Sequence, residues 1–109
     1  MKFGLGNLLK QAQQFQETLE KVREELGELR VEGAAGGGMV RVVANGRQEL
    51  LEIHISPEVI DPDDPEMLED LVLAAVNQAL EKAKEVANER MAQATSGILP
   101  PGMKIPGLS

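Results

Sequence analysis

A single histidine is the only side chain in this sequence suited to general-base chemistry near neutral pH. His54 is accompanied by no second histidine and no cysteine among the 109 residues. A Ser-His-Asp triad, a Cys-His pair or a His-led metal cluster would each have this one candidate base and little else. We therefore interpret His54 as an ordinary strand residue, and we expect a protein that is not an enzyme and that needs no cofactor or metal.

Two further clusters resemble ligand sites, but each lacks an essential part. The acidic run of residues 61–70 has the composition of a calcium loop, yet Pro62 and Pro65 interrupt it and it has no turn glycine. The glycines Gly33 and 36–38 are followed neither by Gly-Lys-Ser/Thr nor by the helix start that a phosphate-binding loop requires. We predict helix capping for the acids and a turn or loop for the glycines.

The charges are distributed unevenly, and both ends of the chain lack acidic residues. The net charge of −7 comprises +2 over residues 1–16, −7 over residues 58–70 and +2 over residues 90–109, with the remainder between them. Lysines and helix amides favour phosphate oxygens, and amide side chains can hydrogen-bond to a nucleic-acid backbone or to base edges. The candidate residues for such contacts are Lys2, Asn7, Lys10, Gln11, Gln13, Gln14, Arg90 and Lys104. An ordinary solvated surface is the alternative interpretation.

The first quarter of the chain has the periodicity of a long helix. Apolar residues recur at alternating steps of three and four from Leu5 to Leu29, which is a heptad pattern. We predict a helix over about residues 5–29, roughly 36 Å long, which needs a partner helix to bury its apolar stripe.

Residues 31–56 predict a small three-stranded antiparallel sheet. Residues 31–35 supply an outer strand, and Asn45-Gly46 indicates a two-residue hairpin turn. That turn predicts the pairs Ala44 with Arg47, Val42 with Glu49, and Val40 with Leu51. The expected core face carries Val40, Val42, Leu51, Ile53 and Ile55, and the other face is mixed.

A second helix begins at Asp64 and Pro65. Asp64 is placed to cap it, Pro65 suits its first turn, and Gly97 with the Pro/Gly-rich tail of residues 97–109 ends it, so we predict a helix over about residues 65–96. Apolar residues, most of them alanine, repeat at every fourth position: Leu71, Ala75, Ala79, Ala83, Ala87 and Met91. We expect this ridge to pack against the first helix.

Together these elements predict one α+β domain over residues 1–109, in the order α-β-β-β-α. The first helix meets the sheet with its C-terminus and the second with its N-terminus, so their distal ends lie together. Both helices are much longer than a small sheet is wide, and part of each apolar seam would stay exposed in a monomer. We therefore expect a homodimer.

Composition removes several classes of partner. Phe3 and Phe15 are the only aromatic residues, too few for the stacking platforms of single-strand and RNA binders. The lack of cysteine gives no sign of an oxidising compartment, and uncharged stretches such as residues 71–80 and residues 91–103 are too short to span a bilayer. We expect a cytoplasmic protein with no membrane partner and no small-molecule substrate.

Three separate blocks of sequence resemble one known family. The blocks are residues 4–14 (GLGNLLKQAQQ), residues 67–72 (MLEDLV) and residues 96–103 (SGILPPGM). Together they resemble the YbaB/EbfC family of bacterial nucleoid-associated proteins over nearly the whole chain. The resemblance implies a homodimer whose paired helices project like tweezers, DNA binding without catalysis, and a role in nucleoid organisation or gene regulation.

The resemblance also implies that both long helices contribute to DNA contact. It extends first to Lys10 with Gln11, Gln13 and Gln14, and then to Lys82, Lys84 and Arg90 of the second helix. The predicted function is duplex DNA binding as a homodimer in the nucleoid. The alternative is an acidic protein–protein interaction module that does not bind DNA directly.

Overall fold

The computed structural model describes the backbone of residues 2–96 and the side chains of residues 4–96. Its elements follow the predicted order α-β-β-β-α, which is an α+β fold. The bounds are α1 Lys2–Glu28, β1 Arg30–Ala35, β2 Val40–Asn45, β3 Leu50–Ile55, a short 3-10 helix at Pro57–Val59, and α2 Pro65–Thr95. The predicted tail of residues 97–109 lies outside the described residues.

The three strands form an antiparallel sheet in the order β1-β2-β3. β1 pairs with β2 from Arg30 opposite Asn45 to Ala35 opposite Val40. The turn between these strands holds three successive glycines, residues 36–38, at φ values of 63°, 68° and 90°, a region that glycine enters without steric cost. The predicted outer strand is confirmed, and so is the predicted turn at residues 36–38. The turn or loop predicted for Gly33 is wrong, because Gly33 lies within β1 and pairs with Val42.

The predicted register between β2 and β3 is wrong. The observed pairs are Val40 with Ile55, Val42 with Ile53, and Ala44 with Leu50, and an irregularity in the pairing follows Val43. The strands are therefore joined by a longer turn than the two residues that Asn45-Gly46 predicted.

The longer turn is built around the Asn45 side chain. Asn45 Oδ1 accepts the backbone N–H of Arg47 at 2.9 Å and that of Glu49 at 3.1 Å. Gln48 takes the left-handed conformation, at φ 62°, as the last residue of a three-residue hairpin loop commonly does. Gly46 serves another contact: its N–H donates to the carbonyl oxygen of Leu26 at 2.8 Å.

The core lies between α2 and the first two strands. The residues with no exposed surface are Val40, Val42 and Ala44 of β2 and Ala75, Ala79 and Ala83 of α2. β3 lies to one side of this layer, so Leu51 and Ile53 remain 43% and 48% exposed, while Ile55 packs against the core. The predicted core face was therefore right for β2 and wrong for most of β3, because one helix is too narrow to cover all three strands.

The ridge of α2 has two partners instead of the one predicted. Its N-terminal half packs on β1, where a Cβ placed on Gly33 would overlap backbone atoms of Ala75 and Ala79. Its C-terminal end, at Ala87 and Met91, lines a groove together with α1. The expectation that the ridge pairs with the first helix thus holds only for that end.

The start of α2 follows the prediction. Asp64 Oδ1 accepts the backbone N–H of Met67 at 3.3 Å, and Pro65 occupies the first turn. Over the described residues, no group of three or more His, Cys, Asp or Glu side chains is arranged to hold a metal ion. None of the described helices is long and apolar enough to cross a membrane.

α1 runs antiparallel to the C-terminal part of α2 and extends beyond it. Arg90 lies beside Glu25, with Nη1 and Oε2 4.0 Å apart, and Met91 shares a groove with Gln16 and Leu19. At about 1.5 Å per residue, Thr95 is level with about residue 17 of α1, and residues 4–16 project about 20 Å past the end of α2. The molecule is correspondingly elongated, with principal-axis extents of 74 × 24 × 16 Å.

Candidate nucleic-acid interface

The base of α1 is fixed against the β2–β3 hairpin. Val22 and Leu26 are 5% and 6% exposed, and Leu26 accepts the Gly46 N–H described above. A Cβ on Gly46 would come within 2.9 Å of both the carbonyl oxygen and a methyl group of Leu26. Glycine thus allows the hairpin to abut the last turn of α1, and the contact holds the helix in its projecting direction.

The projecting part of α1, residues 4–16, is called here the distal segment. It carries an apolar stripe on one side, where Leu5, Leu8 and Leu9 are 65%, 63% and 60% exposed. At about 100° per residue, a polar face lies opposite Leu5 and spans an arc of about 100°. This polar face consists of Asn7, Lys10, Gln11 and Gln14, all of them exposed. Gln13, also exposed, lies at its edge beside Leu9.

The distal segment is the part of the described structure farthest from the acidic run. It contains no Asp or Glu, and within residues 4–96 no carboxylate lies at ion-pairing distance from Lys10. The acids of residues 58–70 surround the start of α2, about 60 Å away when the length of α2 is added to the projection of α1. The nearest acid along the same face of α1 is Glu17, seven residues or about 10 Å from Lys10. Within the segment itself an anion therefore meets a lysine and amides and no carboxylate.

The basic residues predicted on α2 lie elsewhere. Lys82 Nζ donates to the backbone carbonyl of Glu32 at 2.9 Å, so this lysine is engaged with β1. Lys84 is exposed on the same part of α2, which is about 30 Å from Lys10 along the helices. Arg90 pairs with Glu25 and so lies closer to the sheet than the sequence suggested.

Five of the ten candidate residues therefore share one surface. Asn7, Lys10, Gln11, Gln13 and Gln14 lie together on the distal segment. The side chain of Lys2 and all of Lys104 lie outside the described residues. Lys82, Lys84 and Arg90 are not brought to the distal segment.

A groove of about 800 Å³ between α1, the hairpin and α2 was not anticipated from the sequence. Arg23 and Arg47 line it, but Glu20 and Glu49 line it as well, and Arg47 Nε lies 3.5 Å from Glu49 Oε1. The guanidinium of Arg47 occupies the space that a Cβ on Gly27 would need. A glycine inside a helix, which costs stability, was the only signal in the sequence that another group packs there.

The solvent-facing side of the sheet carries paired charges. Arg30 pairs with Glu52, and Arg41 Nη1 lies 3.9 Å from Glu32 Oε1. His54 Nε2 lies 3.1 Å from Glu52 Oε1, with the histidine side chain 49% exposed. This arrangement fits the interpretation of His54 as an ordinary strand residue.

A family model described as the YbaB/EbfC DNA-binding family matches residues 1–98. A nucleoid-associated protein of Caldanaerobacter subterraneus subsp. tengcongensis is 57% identical over 101 residues, which cover 93% of this chain and 91% of the relative. A nucleoid-associated protein of Bacillus cytotoxicus is 52% identical over 105 residues, covering 94% and 96% of the two chains.

A similar fold occurs in the crystal structure of an uncharacterized protein from Helicobacter pylori. The TM-score is 0.62 at 22% sequence identity, over 72% of this chain and 90% of that one. The similarity shows a shared fold, and the sequence matches confirm the resemblance seen in the three sequence blocks. With residues 1–98 matched by the family model and relatives above 50% identity over nearly their whole length, the chain belongs to the YbaB/EbfC DNA-binding family.

Proposed function

We propose that this chain is a nucleoid-associated protein that binds duplex DNA as a homodimer, without catalysis, and contributes to nucleoid organisation or gene regulation. Membership of a DNA-binding family supports DNA as the partner, and the names of the relatives support a location in the nucleoid, within the cytoplasm. The observation that carries the proposal is the exposed, acid-free polar face of the distal segment, at the far end of the molecule from the acidic run.

An acidic protein can bind DNA in this way because its charges are separated in space. Lysines at the end of a projecting helix reach phosphates while the acidic run of residues 58–70 stays several Debye lengths away, at about 8 Å each in physiological salt. If Lys2, Lys10 and Lys104 of both protomers contact phosphates, about six charges are neutralised, and the logarithm of the affinity falls with the logarithm of salt at a slope of about −5. Binding is therefore modest and sensitive to salt.

The proposed homodimer is supported by the exposed edge of the sheet. Among the described elements, nothing pairs with the outer edge of β3, and α2 packs on the other two strands. Leu50, Leu51 and Ile53 leave 44%, 43% and 48% of their surface exposed. Proteins normally cover an unpaired apolar edge strand. A second copy of the chain can cover it, because its own β3 presents the same edge and the same apolar side chains.

The test compares Lys10→Glu with Lys21→Glu. Both lysines are exposed on α1, and both substitutions change the net charge by the same amount. We expect Lys10→Glu to weaken duplex binding by about tenfold or more at low salt, because it reverses a phosphate contact, and Lys21→Glu to have a much smaller effect. Fluorescence anisotropy at two salt concentrations measures both affinities.

Equal losses in the two variants would mean that only net charge matters, and a larger loss at Lys21 would move the DNA surface to the middle of α1. The alternative of an acidic protein–protein interaction module requires a different result again. It requires that duplex DNA not bind at either salt concentration. Binding of a protein partner in an apolar groove would instead change little with ionic strength.

A further inference from the structure

The apolar stripe of α1 is continuous, but only part of it is covered. Leu19 is half-buried, and Val22 and Leu26 are buried, where α1 lies against α2 and the hairpin. At about 100° per residue, Leu5, Leu8, Leu9 and Ala12 fall on the same side of the helix. These four residues are exposed, because they lie beyond the end of α2. The interface between the two helices thus stops before the stripe does.

A helical overhang of this length is marginal without a partner. The distal segment continues a helix that is already nucleated where α1 packs on α2 and the hairpin, but most helical stability in proteins comes from packing of the apolar face. The distal segment has 13 residues and includes Gly4 and Gly6, with nothing within 4 Å of the space that a Cβ would occupy on either. An element packed on the stripe would supply the missing stabilisation.

The segment that follows α2 begins at the point where α2 stops covering the apolar stripe of α1. α2 ends at Thr95, level with about residue 17 of α1, and the stripe continues for about 18 Å from that point. The 13 residues 97–109 reach about 40 Å when extended, which is more than enough. They contain no acid, and their apolar residues are Ile98, Leu99, Met103, Ile105 and Leu108. Pro100, Pro101 and Pro106 favour an extended backbone.

We propose that residues 97–109 lie along the distal segment of their own chain and cover Leu5, Leu8, Leu9 and Ala12. The apolar stripe of α1 is then covered along its whole length. α2 covers the part nearer the sheet, and the extended tail covers the distal segment. Attachment at Ser96 holds the tail near the stripe at a local concentration in the millimolar range, which favours it over a second copy. The proposal does not depend on DNA binding, and it brings Lys104 to the segment that carries Lys10.

The absence of cysteine from the sequence permits a direct test by disulfide trapping. Met103 lies seven residues beyond Ser96, about 20 Å in polyproline geometry, which is close to the distance from the end of α2 to Leu5. The full chain is prepared with Leu5→Cys and Met103→Cys. The matched control combines Met103→Cys with Asn7→Cys, because Asn7 lies on the polar face at nearly the same height. The products are separated by mass under mild oxidation.

We expect the Leu5/Met103 pair to form a disulfide of monomer mass at least about tenfold faster than the Asn7/Met103 pair, since docking raises the local concentration of one pair only. Equal rates would overturn the proposal, because an undocked tail samples both faces. A product of mainly dimer mass would also overturn it, by assigning the stripe to a second copy.

Hydrogen exchange of the full chain provides an independent measurement. The double variant Leu99→Ser/Met103→Ser removes apolar groups from the tail only. We expect the amides of residues 5–12 to exchange about tenfold faster or more, and the amides of residues 19–26 to be unchanged. Lys104→Ser is the control within the same tail and should leave both sets unchanged. Identical exchange of residues 5–12 in the double variant and the parent chain would contradict the proposal.

Discussion

The backbone of Gly33 in β1 lies directly against the backbone of Ala79 in α2. A Cβ on Gly33 would overlap the amide nitrogen of Ala79 and the carbonyl oxygen of Ala75, and both alanines have no exposed surface. Helix and sheet therefore meet through backbone atoms at this point. The small residues on both sides are what permit the approach.

Replacing Gly33 with Ala should destabilise the fold. The added methyl group has to displace backbone atoms of α2, at a cost of about 1–3 kcal/mol in the free energy of unfolding. Urea denaturation measures the change. Gly6→Ala is the matched control, because nothing lies within 4 Å of its Cβ position and alanine favours a helix; it should be neutral or slightly stabilising. Unchanged stability in Gly33→Ala would contradict the close approach.

Asp64→Ala should also lower stability, by about 1 kcal/mol, because it removes the side chain that caps α2. Asp63→Ala is the control. It removes the same charge one residue earlier but keeps the hydrogen bond from the Met67 N–H to Asp64 Oδ1. Thermal unfolding of the two variants separates capping from charge. Equal melting temperatures for both would assign the whole effect to charge.

Ile53→Glu should convert the proposed dimer to a monomer, because it places a charge on the exposed apolar face of β3. Leu73→Glu introduces the same group at a position on α2 that is 60% exposed, against 48% for Ile53, and it should leave the dimer intact. Sedimentation at micromolar concentration measures both masses. A dimer that persists in Ile53→Glu would place the interface elsewhere.

Lys82→Gln should affect stability more than DNA binding. Its ammonium group donates to the carbonyl of Glu32, and loss of that bond should cost about 1 kcal/mol or less. Lys84→Gln makes the same change at an exposed neighbour and should leave the melting temperature unchanged. A greater loss of DNA affinity in Lys82→Gln than in Lys10→Glu would show that the middle of α2 contacts DNA.

Local chemistry explains which elements the sequence predicted correctly. The start of α2 was predictable because a cap and its proline act over three residues, at Asp64 and Pro65. The hairpin register was not, because Asn45-Gly46 favours a two-residue turn, whereas the Asn45 side chain holds a longer loop and Gly46 contacts Leu26, which is 20 positions earlier in the sequence. The alanine ridge indicated that something approaches α2 closely, but a pattern on one element does not identify the partner.

The candidate interface was predictable to a similar extent. The acid-free start of the chain indicated Lys10 and its neighbouring amides, and the structure places them on one exposed surface. Arg90 was grouped with them because it lies in the acid-free end of the chain, and Lys82 because the family resemblance implies that both long helices contact DNA. Their engagement with Glu32 and Glu25 depends on how β1 and α1 pack against α2, which charge patterning does not reveal.

The hydrogen bond from Gly46 to Leu26 also means that the hairpin limits how far α1 can tilt. α1 acts as a lever whose fulcrum is its last turn, and the distance from Leu26 to Gly4 is about 33 Å. A tilt of about 10° at the fulcrum displaces the far end by about 6 Å, nearly two steps of about 3.4 Å along a DNA strand. The stiffness of the three-residue loop at the base of α1 therefore determines how precisely the distal segment is positioned.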